Sequence, residues 1–275
     1  SFVSMENARK NLDAEQPTFD FEKTHQLART KWERDLGVVQ IEGGTADQKT
    51  VFYTALYHAL IHPNVLQDVN GEYPQMEGDK VLTTKGNRYT VFSLWDTYRN
   101  VHQLLTLLYP ERQLDMIRTM LAMYKEHGWL PKWELYGRET LTMEGDPSIP
   151  VIVDTWMKGL RDFDVDLAYE AMCKGATTQG KDNLMRPDID PYIEKGYVPL
   201  GFFSADASGD NSADGVFGVQ EIFSGVWLKS TVEFQKKFGV CIKYFFFPVI
   251  GNRKGIDIGK CLFCVIPRTV ASEKN

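Results

Sequence analysis

The chain has 275 residues, 43% hydrophobic and 12% aromatic, with a formal net charge of -6, which is the composition of a globular protein of one large or two small domains. The mild acidity and the lack of a long Lys/Arg run exclude a nucleic-acid footprint and an anionic-membrane patch. No stretch reaches the ~18 uncharged apolar residues of a membrane span.

Taken in chain order, the opening "SFVSMENARKNL" lacks a charged-then-apolar signal pattern. A helical period runs from Phe21 to Leu36 and stops before Gly37. "GVVQIEGG" reads as a short strand. A helix then starts at Thr45, with Gln48 three residues on in capping-box spacing, and Pro63 stops it. The turn-rich stretch that follows places a hairpin turn at Asn70-Gly71. "YTVFSLW" leads into a helix from Asp96 to Leu108, closed by Pro110. Further helices are expected over 111–127, ending at Gly128, over "SIPVIVDTWMKGL", and over "DFDVDLAYEAMCKG" with Gly175 as a C-cap. Long helices joined by elaborate loops predict a mostly α protein of toroid or bundle type.

Three clusters carry residues suited to chemistry. In "FSLWDTYR", Trp95 offers an aromatic face for a sugar ring and Asp96 a carboxylate for vicinal hydroxyls, which are costly to bury without partners. The plainer alternative makes Asp96 a first-turn acid paired with Arg99 and Trp95 a core residue. "GWLPKWELYGRET" packs Trp129, Trp133, Glu134, Tyr136, Arg138 and Glu139 into one loop, either a saccharide subsite or a well-packed surface loop. In "MEGDPSIPVIVDTWMKG", Asp146 and Asp154 are the acids, and Asp154, within an apolar helix, is either paired in the core or facing a cavity. His58 and His62 have i, i+4 spacing but no HExxH context and no third ligand. Of the four cysteines (Cys173, Cys241, Cys261, Cys264), three lie in the last 35 residues, and Cys261–Cys264 is a single CxxC where a zinc ribbon needs two. Phosphate-loop, dinucleotide and GxSxG motifs are missing.

In this order, "IEGGTADQKTVFYTALYH", "DVNGEY", "FSLWDTYR", "GWLPKWELYGRET", "PVIVDTWMKGLRDFDVDLAYEAM" and "YIEKGYVP" resemble glycoside hydrolase family 92 over about two hundred residues. The resemblance implies part of an (α/α)6 toroid-type catalytic domain over residues 21–200. Residues 1–20 are expected as a linker leaving a β-sandwich that precedes this region in the family. It implies an exo-acting α-mannosidase that inverts the anomeric centre with the help of calcium, acting on a mannose-containing oligosaccharide or N-glycan in a periplasmic or secreted setting. Trp95 and Asp96 match the family's "WDTFR" segment and are expected to form the terminal mannose subsite. Trp133, Glu134 and Glu139 match its "LPxWE…ET" loop and are expected to line the pocket.

Residues 201–275 depart from the family pattern and shift to an excess of basic residues, as a frameshift or truncation near residue 200 would produce. The family's "EGN.WQY" and "GDED"-like stretches, which carry the general acid, the general base and the principal calcium ligands, are not found. The catalytic pair and the metal ligands are therefore expected outside this chain, and no metal-ligating residue is assigned within it. The alternative is a non-catalytic helical module that binds a glycan or a protein. An incomplete helical ring is also expected to expose apolar helix faces.

Overall fold

Helices form where the apolar period called for them, and their ends fall where local chemistry stops them. The computed structural model describes residues 1–143 and 145–196. The expected tail, with Cys241, Cys261 and Cys264, lies outside the described residues. The described residues divide into two compact units, residues 1–143 with 147–171, and residues 145–146 with 172–196.

In the first unit, α1 (Met5–Glu15) lies within the segment expected as a linker. Ser4 caps it, and Asn7 is buried. The Asn7 amide donates to Asp68 at 2.9 Å and to Glu72 at 2.6 Å. Asn11 and Ser1 also donate to Asp68, both at 2.7 Å. Burial alone would raise the Asp68 pKa, but these donors outweigh it and hold the carboxyl below its ordinary value. Polar side chains, rather than an apolar stripe, fix this helix, so periodicity did not reveal it.

α2 (Phe21–Leu36) and α3 (Ala46–Ala59) follow. Thr45 and Gln48 make the expected capping box. The "GVVQIEGG" segment between them contains no strand; two adjacent glycines with positive φ, Gly43 and Gly44, turn it into a loop. Among the described residues none of α2 is buried, and α3 buries only Leu56. Phe21, Val51 and Phe52 remain exposed.

Short strands come next. β1 (Asn64–Val65) pairs antiparallel with β4 (Tyr89–Thr90), and β2 (Glu72–Pro74) with β3 (Val81–Thr83). Asn70-Gly71 does not close the β2–β3 hairpin, which turns at residues 75–80. Instead it sits in a small loop closed by Gly71 N–H donating to the Asp68 carbonyl at 2.8 Å. β5 (Phe92–Ser93) leads into α4 (Leu94–Thr97) and α5 (Val101–Leu108). One helix was expected from Asp96 to Leu108; the chain breaks it at residues 98–100.

α6 (Pro110–His127) starts on a proline at its first position and ends at Gly128, φ 92, both suited to those places. Met116, Ile117, Met120 and Met123 of α6 are wholly buried with Leu105 of α5 and with Val151 and Ile152 of α7 (Ser148–Met157). A polar thread joins the three helices. The His102 ring bonds Gln113 at 2.9 Å, and the Gln113 amide donates to Thr155 at 2.9 Å. The strands β6 (Trp133–Leu135) and β7 (Arg138–Glu139) separate α6 from α7.

α8 (Val165–Thr177) ends in the second unit, which also holds a short 3-10 turn at Gly180–Asp182 and α9 (Ile189–Lys195). There Arg186 is buried, with its guanidinium on Asp188 at 2.6 and 2.8 Å.

Candidate functional site

The two aromatic-acidic clusters, about forty residues apart in sequence, meet on one three-stranded sheet. β5 pairs antiparallel with β6, Phe92 opposite Glu134 and Ser93 opposite Trp133. β6 pairs with β7, Glu134 opposite Glu139. Leu135 faces Arg138 across a two-residue turn, Tyr136-Gly137, with φ of 49 and 85. Two successive positive φ values suit the type I′ turn that matches strand twist.

Trp95 and Asp96 follow β5 directly, in the single turn of α4. Asp96 is exposed and accepts a 2.6 Å hydrogen bond from the Ser93 hydroxyl. Arg99 does not pair with it; its Nε donates to the Trp95 carbonyl at 3.4 Å and its guanidinium lies over the Tyr98 ring. Asp96 thus keeps acceptor capacity toward solvent. Trp95 and Trp133 are each half-buried, and the indole N–H of both is buried without a hydrogen-bond partner. A buried donor left unpaired costs about 1–3 kcal/mol, an uncommon state in a natural fold.

The two glutamates occupy another position. Glu134 is fully buried. Its carboxylate accepts from Gly137 N–H at 2.6 Å, from Val91 N–H at 3.1 Å and from the Thr90 hydroxyl at 2.8 Å. Burial pushes its pKa up to about 6, against these three donors and the pull of Arg88. Glu139 accepts from the N–H groups of Lys132, Trp133 and Leu141 at 2.8, 2.9 and 3.1 Å. Both carboxylates therefore face the protein's own backbone, and the exposed acid beside the tryptophans is Asp96.

Backbone strain is concentrated around this sheet. Five non-glycine residues have positive φ among the described residues: Glu77, Val91, Tyr136, Leu141 and Met143. Val91 lies between β4 and β5, Tyr136 in the β6–β7 turn, and Leu141 and Met143 in the loop after β7. Glu77 bonds to the same hairpin, its carboxylate accepting from Glu139 N–H at 2.6 Å and its own N–H donating to the Gly137 carbonyl at 2.9 Å. A β-branched residue such as Val91 in the left-handed region is an outlier, and such conformations cost of order 1–3 kcal/mol each. They persist where surrounding bonds over-determine the backbone, typically at ligand sites. No sequence signal marked Val91, Thr90 or Glu77, because strain and a hydroxyl relay have no composition or spacing of their own.

The remaining candidates stand apart. Asp154 pairs with the exposed Lys158 at the end of α7, which is neither a core pairing nor a carboxylate facing a cavity. Asp146 belongs to the second unit, where it acts electrostatically on Arg186. His58 and His62 are exposed, and His62 lies beyond the end of α3. Among the described residues no group of three His, Cys, Asp or Glu side chains is placed to hold a metal ion.

Comparison with known proteins gives concordant results. The family model described as "Glycosyl hydrolase family 92 catalytic domain" matches residues 7–215. A curated protein of Arthroderma benhamiae, "Uncharacterized secreted glycosidase", is 30% identical over 207 residues, 72% of this chain and 22% of the relative. Among solved structures, the family GH92 alpha-mannosidase BT3965 from Bacteroides thetaiotaomicron, in complex with mannoimidazole, is 31% identical with a TM-score of 0.70, over 85% of this chain and 29% of that one. The family GH92 inverting mannosidase BT2199 from Bacteroides thetaiotaomicron VPI-5482 is 30% identical with a TM-score of 0.71, over 86% of this chain and 31% of that one. The chain thus spans less than a third of each of these relatives.

Proposed function

Because the chain belongs to glycosyl hydrolase family 92, we propose that it is part of an exo-acting α-mannosidase and supplies one wall of the pocket for a terminal mannose. Its mostly α fold is that of part of the family's (α/α)6 toroid-type catalytic domain. The observation that carries the reading is the family match over residues 7–215, joined by a 0.70 TM-score to an alpha-mannosidase that binds mannoimidazole. The sheet that gathers Trp95, Asp96 and Trp133 is where a sugar fits best. Tryptophan faces stack on the C–H face of a pyranose, and the Asp96 carboxylate is free to accept from ring hydroxyls. Glu134 and Glu139 support this wall from behind.

The substrate class is a mannose-containing oligosaccharide or N-glycan, met outside the cytoplasm. The secreted glycosidase among the relatives supports that setting, and no helix among the described residues is long and apolar enough to cross a membrane. Inverting hydrolysis needs a general acid and a general base about 6.5–9.5 Å apart with a water between them. Both roles are expected of residues outside this chain.

A second reading, a non-catalytic glycan-binding module, draws on one observation: the two glutamates nearest the tryptophans are both bonded to backbone donors. One experiment tests the sugar pocket that both readings share. The 275-residue chain is titrated with α-1,2-mannobiose and with cellobiose while tryptophan fluorescence is followed, and released mannose is assayed in parallel. Preferential binding of the mannoside, lost in Asp96→Asn, supports the pocket assignment, and mannose release would reject the non-catalytic module. Equal response to both sugars, or none, rejects the pocket.

A further inference from the structure

We propose that Glu134 is a positioning residue, whose buried carboxylate clamps β5 to the β6–β7 turn and so sets the placement of Trp95, Asp96 and Trp133. The clamp stands on geometry; its consequence for sugar binding rests on the α-mannosidase reading above.

Three parts of the backbone converge on this one side chain. Val91 lies between β4 and β5 with φ 65 and donates its N–H to Glu134 Oε2 at 3.1 Å. Gly137, second residue of the hairpin turn, donates to Oε1 at 2.6 Å. The third link is a relay: Tyr136 N–H donates to the Thr90 hydroxyl at 2.8 Å, and that hydroxyl donates onward to Oε1 at 2.8 Å. Glu134 thus holds both left-handed residues nearest the strands, Val91 directly and Tyr136 through Thr90. The kink at Val91 fixes where β5 leaves, and Ser93, Trp95 and Asp96 follow within five residues. Trp133 precedes Glu134 on its own strand. A carboxylate serves here because it accepts several N–H and O–H donors at once and donates to none.

The charged groups around the clamp belong to several elements. Arg88, before β4, favours the charged carboxylate, while its own guanidinium is bonded to Glu126 of α6. Glu139 of β7 lies opposite in register. Glu77, bonded to the Glu139 N–H, Arg138 beside it, and the buried Lys132, whose backbone N–H donates to Glu139, also lie on or against this hairpin. Burial raises the Glu134 pKa to about 6, so the clamp weakens below that pH as its carboxylate becomes a donor on one oxygen.

The test is a pH titration of the full chain labelled with 5-fluorotryptophan, followed by 19F NMR. Trp95→Phe and Trp133→Phe assign the two signals. Both signals should move with one midpoint near pH 6 in the wild type and stay flat in Glu134→Gln. The Kd for α-1,2-mannobiose at pH 7 should rise at least fivefold in Glu134→Gln, and the wild-type Kd should rise as pH falls through 6. Thr90→Ala, which removes only the relay, is a milder variant should Glu134→Gln fail to fold; it should shift both signals at pH 7, and Thr90→Ser should restore them. Tryptophan signals in Glu134→Gln that coincide with those of the wild type at pH 7 overturn the clamp. A lost affinity in Glu134→Gln with its tryptophan signals still at the wild-type pH 7 positions overturns it too, because Glu134 would then touch the sugar itself. If the wild type binds no mannoside while the tryptophan signals titrate as expected, the clamp stands and only the functional reading fails.

Discussion

Two buried titratable side chains pull the stability of this protein in opposite directions as pH falls. Burial lowers the His102 pKa from 6.5 to about 4, although Gln113 opposes the shift. Between those values the unfolded chain binds more proton than the folded one, so stability falls as pH drops from 6.5 through 4. At about 1.4 kcal/mol per pKa unit, this is on the order of 3 kcal/mol. Burial raises Glu134 from 4.5 to about 6. There the folded chain binds more proton, and stability rises by about 2 kcal/mol as pH drops from 6 through 4.5. The two contributions oppose each other and partly cancel on acidification. Urea unfolding at pH 7 and pH 4 should show His102→Gln losing less stability with acid than the wild type, and Glu134→Gln losing more. Equal slopes in all three proteins would refute both assignments. Neither role was legible from residue type. "WEL" marked Glu134 as a pocket-lining acid, and only the register against Phe92 turns its carboxylate inward. Asp96 and the two tryptophans were singled out by the family resemblance; residue type alone left Asp96 between a sugar ligand and a first-turn acid, and only the fold shows it exposed beside them.

At the scale of elements, the longest helix is tied to the strands by charge as well as by apolar packing. Arg88 and Glu126 make a two-pronged ion pair at 2.9 and 3.0 Å with side chains 2% and 7% exposed. Tyr73 donates its hydroxyl to the same carboxylate at 3.0 Å, and Met76 N–H donates at 2.9 Å. Burial, with the Glu126 charge beside it, pushes the Tyr73 pKa up to about 12. One carboxylate on α6 therefore collects the segment before β4, β2 and the start of the β2–β3 turn. Removing one partner of such a pair leaves a buried uncompensated charge, which costs about 3–5 kcal/mol. Glu126→Ala should lower the urea-unfolding free energy by that amount, and a change below about 1 kcal/mol would show the pair to be incidental. Sequence reading found the helix because its apolar period and its Pro110 and Gly128 boundaries are local. It missed the break between α4 and α5, where "WDTYRNVHQLL" keeps a helical period through residues 98–100. There the His102 ring bonds the Thr97 hydroxyl at 3.0 Å, a contact across the break that no local pattern encodes.

For the whole molecule, the question is how much of a glycosidase is contained in this chain. The fold class was legible because helices of ten or more residues write their period into the sequence. Family membership was legible because six separated motifs keep their order. The chemistry was not, because a pocket wall, an acid, a base and a metal site come from distant parts of a fold, and the chain spans 22–31% of its relatives. The apolar side chains exposed on α2 and α3, Phe21, Leu27, Val51 and Phe52 among them, agree with the expectation of unpartnered helix faces. Calcium gives a direct test of what is held here. Three or more oxygen donors must converge on such an ion, and among the described residues no set of three acids or histidines does so. A ligand that binds only the folded state at a hundred times its Kd adds about 2.7 kcal/mol of stability. In a protein of this size that moves the Tm by roughly 5–10 °C. Millimolar calcium should therefore leave the Tm of the 275-residue chain where a chelator leaves it. A calcium-specific rise of several degrees would place a metal site within this chain, and the division of labour proposed here, with sugar contacts inside it and metal ligands elsewhere, would be wrong.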